Sequence, residues 1–308
     1  MTKALQVVLF GASKAGEFFL SQNPTLNITA FIDNDPSRHG QKLSGIAVLP
    51  PDELLSLDYD QIVITSQWVD AISAQLQQLG VPAEKIVVPA KQQVKATQPF
   101  LHSATLEMAH VLLQRLNQFL QQHGIRPCLD SGTLLGVTRQ KALIPWDDDI
   151  DLAIDQSEFG NLLEVIPDFI PQLPHQNLLN WQVLVLNVND EDCCVNIEFS
   201  PKPGADFVPF DISLQLRREQ AGYSELVSSA GLFFAPAHHF AQFQQKEFLG
   251  QLFYVPTDTD GFLTFMYGDW QEPKKGTKIT EYNNRRAQLS HDHCQPRVKK
   301  RLLGEPSQ

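Results

Sequence analysis

The stretch "DSGTLLGVTRQKALIPWDDDIDLAI", Asp130 to Ile154, decides how this chain is organised. At its end, acids and apolar residues alternate: Asp149, Ile150, Asp151, Leu152. A period of two belongs to a strand, so Asp149 and Asp151 share one face while Ile150 and Leu152 share the other. Aspartate is a poor strand former and neighbouring carboxylates repel, so such a strand needs compensating charge. Two carboxylates held close raise each other's pKa unless a cation sits between them. A hard divalent ion, Mg²⁺ or Mn²⁺, prefers oxygen ligands and is the natural counterpart. Upstream, Gly132 and Thr133 stand just before a helical pattern, where backbone N–H groups can grip a phosphate. Arg139 and Lys141 lie between this turn and the acids, and both can neutralise phosphate charge. Downstream, "VPFDISL" places Asp211 alone among apolar strand residues, a costly position for an acid without a partner.

The bulk composition agrees with a folded, cytoplasmic protein. The 308 residues are enough for two domains, and 43% hydrophobic against 19% charged residues is a globular balance. A net charge of −11 argues against general affinity for nucleic acid or anionic lipid, because no broad basic surface is available. The opening "MTKALQVVLFGASKAG" has too short an apolar core for a secretion signal, and no run approaches the roughly 20 apolar residues of a transmembrane segment. Cys128, Cys193, Cys194 and Cys294 have neither zinc-site nor oxidoreductase spacing, so free thiols are expected.

Two domains are expected. In residues 1–95 the runs "LQVVLFGA", "NITAFID", "QIVIT" and "KIVVP" alternate with short helical patterns, among them "PDELLSL". This order predicts a Rossmann-like parallel α/β sheet. The polar segment "PAKQQVKATQP" reads as a linker. Residues 100–308 begin with a long amphipathic helix ending at Gly124, followed by the acidic strand, a helix over about 157–169 and three further strands, "WQVLVLNV", "CCVNIEFS" and "VPFDISLQL". A mixed-sheet α+β domain fits. The turn after the first strand, with Gly11 and Gly16, lacks the middle glycine of a dinucleotide fingerprint, although Asp33 stands where a ribose-binding acid would. The first domain therefore either binds a nucleotide or nucleotide-sugar, or serves as a structural or subunit-contact module of a homo-oligomer.

A glycine turn, a two-acid strand and a third strand acid form the skeleton of a nucleotidyltransferase fold. "SGTLLGVTRQKALIPWDDDIDLAI" closely resembles the signature of the LicD/fukutin family, and "FLTFMYGDWQEP" resembles its second hallmark. "VPFDISL" sits where that family has an intermediate acidic strand. The first domain resembles the Rossmann-like domains that precede bacterial sugar acyltransferases. The resemblance implies metal-dependent transfer of a phospho-alcohol, such as phosphocholine or ribitol phosphate, from a CDP-linked donor to a sugar hydroxyl of a surface-glycan precursor (lipopolysaccharide or capsule). It makes Asp149 and Asp151 metal ligands, Asp211 a third ligand or the base, and places Gly132 and Thr133 at the donor phosphates. Asp130, Trp146, Asp148, Tyr267 and Asp269 are candidates for substrate contact, with capping or packing as the alternative for each. Asp147 stands beside Asp148 at the strand entrance. His238 and His239 lack a further ligand pair at metal spacing and read as structural, and the basic "RVKKRLLG" suggests at most an approach to membrane or glycolipid. Two rival readings stay open: an enzyme making an activated donor from CTP, and a non-catalytic nucleotide-binding scaffold.

Overall fold

The computed structural model describes residues 5–66, 68–94, 98–228, 231–274 and 298–304. They fall into two compact units, one built on residues 1–96 and the other on residues 97–273 with the strand Val298–Leu303.

The first unit contains β1 (Gln6–Phe10), α1 (Lys14–Gln22), β2 (Asn27–Ile32), β3 (Lys42–Leu43), β4 (Ile46–Leu49), β5 (Gln61–Ile64), α2 (Val69–Gln78), β6 (Ile86–Val87) and α3 (Lys91–Val94). Its strands run in the order β3-β4-β2-β1-β5-β6, and every pair except β3–β4 is parallel. Central β1 is buried on both faces, which is why it reads as an unbroken apolar run. Alternate residues serve opposite faces. Val8 and Phe10 join Val69, Ile72 and Leu76 of α2 in one cluster, while Val7 and Leu9 join Phe19 of α1 in another. The expected helix at "PDELLSL" is a 3-10 helix, Pro51–Ser56, preceded and opened by prolines. The expected linker contains the single turn α3, because Val94 finds an apolar cluster to pack against.

Gly16 lets α1 close onto the turn after β1. A Cβ there would stand 2.5 Å from the Gly11 carbonyl oxygen and 2.9 Å from Phe31 Cε1. Since one obstacle is backbone, Gly16→Ala is expected to cost about 1–3 kcal/mol, read from the urea midpoint of the transition that reports this unit.

The second unit contains α4 (Ser103–Gln122), β7 (Cys128–Leu129), α5 (Ser131–Gln140), β8 (Asp149–Asp155), α6 (Gln156–Val165), β9 (Leu179–Val188), β10 (Glu191–Pro201), β11 (Asp211–Gln220), β12 (Tyr223–Ser228), β13 (Gly231–Pro236), β14 (Phe243–Phe248), β15 (Gln251–Pro256), α7 (Thr259–Tyr267) and β16 (Val298–Leu303). They form one mixed sheet in the order β14-β15-β7-β8-β11-β10-β9-β16, with β12 and β13 continuing from the far end of β11. The hairpins β9–β10, β11–β12 and β14–β15 turn on residue pairs in the left-handed region: Asn189–Asp190, Ala221–Gly222 and Leu249–Gly250. That backbone matches the twist of the flanking strands. The sheet is larger than the sequence reading expected, since β12 to β16 were not anticipated.

β8 and β11 position the site. They are parallel and adjacent, with Asp149 in register with Asp211, Ile150 with Ile212, Asp151 with Ser213 and Leu152 with Leu214. Ile150, Leu152, Ile212 and Leu214 are at most 1% exposed and belong to the main core. Each buried aliphatic chain contributes about 1.5–3 kcal/mol, which anchors the acids on the other face against their mutual repulsion.

The basic tail has a role in this sheet. In β16, which pairs with β9, Lys299 bonds Asp190 and Arg301 bonds Asp192, both at 2.8 Å, and Lys300 lies 4.0 Å from Glu198. Acids of this unit thus lie beside the charges of β16; Arg297 lies outside the described residues. Cys128, Cys193 and Cys194 are buried free thiols, with burial pushing Cys193 up to about 12. Cys294 lies outside the described residues.

Candidate active site

The glycine turn and the acids converge at the start of β8. Asp130 follows β7 as the N-cap of α5, and its side chain accepts the Ser131 N–H at 2.7 Å. Leu134 makes the first bond of the helical ladder, to Asp130 O, so the N–H groups of Gly132 and Thr133 precede it. Ser131 has φ +47°, a left-handed conformation that L-residues adopt reluctantly. Such strain is held where surrounding bonds over-determine the backbone.

Those bonds come from β8 and β11. Thr133 Oγ1 accepts the Asp151 N–H at 2.9 Å, and the Asp130 N–H donates to Asp151 O at 3.1 Å. Thr133 is 3% exposed, and its hydroxyl ties helix to strand. Asp130 is fully buried and receives Arg217 Nε at 2.7 Å. Of the two roles expected for Asp130, these bonds are those of the cap: it holds the turn. Arg217 also donates to Ser224 and lies 4.2 Å from the centre of the Phe240 ring.

Gly132 brings the turn against the acids. A Cβ added there would collide with the Asp147 carboxylate. Carboxylate oxygens of Asp147, Asp148 and Asp149 all lie within 4.8 Å of one another, a spacing one divalent cation can span. Asp151 and Asp211 fall outside this close group. Asp211 faces Asp149 across the β8–β11 pair, and Asp151 follows two residues along the same face, where Gln215 Nε2 donates to its Oδ1 at 2.8 Å. Asp149 is therefore common to the close group and to the cross-strand pair, and the residues present fit a hard divalent ion.

Arg139, on α5, reaches Trp270 O at 3.4 Å, and its buried Nε has no hydrogen-bond partner among the described residues. Burial holds its pKa below the ordinary arginine value, with Tyr267 acting in the opposite direction. Arg139 thus joins the first motif to the end of α7, where Gly268 (φ +66°) closes the helix by donating to Thr264 O. Lys141, also left-handed, ends α5 and is exposed. Trp146 and Tyr267 pack against the main core, Trp270 is part of it, and Asp269 is exposed.

In the first unit, Asp33 accepts the N–H groups of Ala12 at 2.8 Å and Asp35 at 2.9 Å, and Arg38 donates to Ala12 O. Both carboxylate oxygens thus accept a backbone N–H. Gly11 supplies the left-handed turn (φ +119°) and Gly16 the close packing.

Sequence reading passed over Gln215 and Arg217. The signal was present, since "DISLQLR" alternates polar and apolar residues and sets Asp211, Ser213, Gln215 and Arg217 on one face of β11.

Gly132→Ala tests the turn separately from the fold. Because the obstructing atom is the end of a side chain, Asp147 can swing aside, and stability is expected to change by less than about 1 kcal/mol. Metal affinity is expected to fall, read as the Mg²⁺-induced shift in melting temperature.

Carboxylates stand in register on neighbouring parallel strands, under a glycine turn that opens a helix, and their spacing could hold a metal ion. Residues 124–258 match the LicD/FKTN/FKRP nucleotidyltransferase domain, and residues 3–87 match the C2185-like N-terminal family. The chain therefore carries a domain of the LicD/FKTN/FKRP type over residues 124–258. It is 34% identical over 58 residues to an uncharacterized protein of Rickettsia prowazekii (strain Madrid E), covering 19% of this chain and 22% of that protein. It is 35% identical over 54 residues to the lipopolysaccharide cholinephosphotransferase LicD of Haemophilus influenzae, covering 18% and 20%. The matched segments thus span about a fifth of these curated relatives. Among solved structures, UDP-D-quinovosamine 4-dehydrogenase from Vibrio fischeri is similar at 22% identity over 28% of this chain and 76% of that one, with a TM-score of 0.24. Among the described residues, no helix is long and apolar enough to cross a membrane.

Proposed function

We propose that this protein transfers a phospho-alcohol from a CDP-linked donor to a sugar hydroxyl of a surface-glycan precursor. The observation that carries this reading is Asp149 standing in register with Asp211, beside Asp147 and under the Gly132 turn. The LicD-type domain and the likeness to the lipopolysaccharide cholinephosphotransferase of Haemophilus influenzae support it.

In this reading the backbone N–H groups of Gly132 and Thr133 hold the donor's phosphate oxygens, and Arg139 and Lys141 balance their charge. Asp149 would hold a divalent ion with Asp147 and Asp148 on one side or Asp151 and Asp211 on the other. When bound, that ion supplies charge stabilisation for the phosphoryl oxygens and the leaving group. The acceptor hydroxyl oxygen forms a bond to the phosphorus bearing the alcohol, the bond from that phosphorus to CMP breaks, and CMP leaves with the electron pair. A site carboxylate, Asp211 in the first instance, takes the hydroxyl proton. Gln215 orients Asp151, and Arg217 orients Asp130 and so the turn.

The test is calorimetric titration of CDP-choline, CDP-ribitol and CTP with and without Mg²⁺, followed by product analysis. Mg²⁺-dependent binding of a CDP-alcohol and release of CMP is the expected result. Binding of CTP with release of pyrophosphate would replace it with donor synthesis. Binding of neither would leave the acidic site without catalytic support.

A further inference from the structure

Away from the aspartates of β8, a second set of metal-ligating side chains converges at the start of α7. His238 and His239 lie in a 3-10 helix, Ala237–Phe240, and Asp258 is the N-cap of α7. His239 Nδ1 lies 2.9 Å from Asp258 Oδ2, and His238 Nε2 lies 3.8 Å from the same oxygen. Their ligand atoms all lie within 4.8 Å of one another. The sequence shows no further ligand pair at metal spacing beside these histidines; tertiary packing brings them the single carboxylate of Asp258, some twenty residues along the chain.

We propose that His238, His239 and Asp258 form a binding site for a transition metal of the Zn²⁺ class. Bonds of about 2.0–2.1 Å in a tetrahedral site set neighbouring ligand atoms about 3.3 Å apart, and the two distances here bracket that value. Two imidazole nitrogens and one carboxylate oxygen suit Zn²⁺, Co²⁺ or Ni²⁺ and disfavour Mg²⁺, which demands oxygen ligands. This separates the site chemically from the all-carboxylate group at Asp149.

Two ligands are held by groups outside the site. Asp258 Oδ1 accepts the Gly261 N–H at 3.1 Å, leaving Oδ2 to face the histidines. His239 is 5% exposed, with its ring beside Phe262 and Phe265. His238 is exposed, so solvent can complete the coordination. A bound ion would replace the present His239–Asp258 hydrogen bond and join the 3-10 helix to α7. Phe240 of the same 3-10 helix covers Arg217, so the ion would brace the support of the catalytic turn without touching substrate.

The test uses tag-free full-length protein in excess Mg²⁺, with Zn²⁺ delivered from a chromophoric chelator and Co²⁺ followed by its visible absorption. Wild type is expected to take up a single equivalent and to melt at higher temperature with Zn²⁺. His238→Ala, at an exposed position, should fold normally and bind at least about a hundredfold more weakly. Asp258→Asn, which keeps the cap to Gly261, should do the same, whereas Asp149→Asn should bind Zn²⁺ as wild type does. Uptake unchanged in His238→Ala, or no uptake by wild type, would overturn the proposal. Because the readout is affinity for Zn²⁺ in excess Mg²⁺, failure here is distinct from failure of the transfer reading.

Discussion

Asp149→Asn is expected to lower phospho-alcohol transfer about a thousandfold, equivalent to about 4 kcal/mol, with the fold intact. Asp149 belongs both to the close group with Asp147 and Asp148 and to the cross-strand pair with Asp211. Its loss therefore disables whichever set holds the ion. The site gathers carboxylates whose repulsion the core must overcome, so removing one charge should leave the metal-free melting temperature unchanged or higher. Wild type, by contrast, should gain about 2.7 kcal/mol at a Mg²⁺ concentration a hundred times the dissociation constant, and the variant should gain almost none. Paired thermal melts and a CMP-release assay check both parts. A variant that unfolds without metal would show Asp149 to be structural. A variant that keeps its Mg²⁺ shift and its rate would move the ion elsewhere.

Arg217→Met is expected to cost about 3–5 kcal/mol of stability, a large share of the whole for a domain of this size. Asp130 is fully buried and would lose the partner 2.7 Å away, leaving a carboxylate without a counter-charge. A buried pair removed whole is much less harmful than one broken in half. Asp130→Asn combined with Arg217→Met should recover most of the loss, because the amide oxygen can still accept the Ser131 N–H. Urea midpoints for the two single variants and the double variant close the cycle and give the coupling directly. Equal, additive losses would show that Arg217 acts through its contact with Phe240 and its bonds to Ser224 instead. The double variant should also transfer more slowly than wild type at restored stability, since Ser131 then holds its left-handed turn with a weaker anchor.

These two expectations differ in how far the sequence discloses them. The alternation in "DDDIDLAI" is a local property: period-two sterics place Asp149 and Asp151 on one face whatever surrounds the strand. The glycine before the helix and the isolated Asp211 are local signals too, and the fold sets them beside Asp147 and Asp149. The parallel sheet of the first unit was legible for the same reason, since a strand buried on both faces must be apolar throughout.

What the chain alone did not disclose depends on which strands become neighbours. Pairing of β8 with β11 sets Asp149 opposite Asp211, and nothing in either segment specifies that register. Asp130 reads equally well as a substrate contact until Arg217, 87 residues away, is found against it in the core. His238 and His239 read as structural until the hairpin β14–β15 brings Asp258 back beside them. Local dihedral preference and hydrophobic period determine the elements and their faces. Charge compensation between distant residues is decided by packing, because only the assembled core says which polar groups lose water together and must satisfy one another.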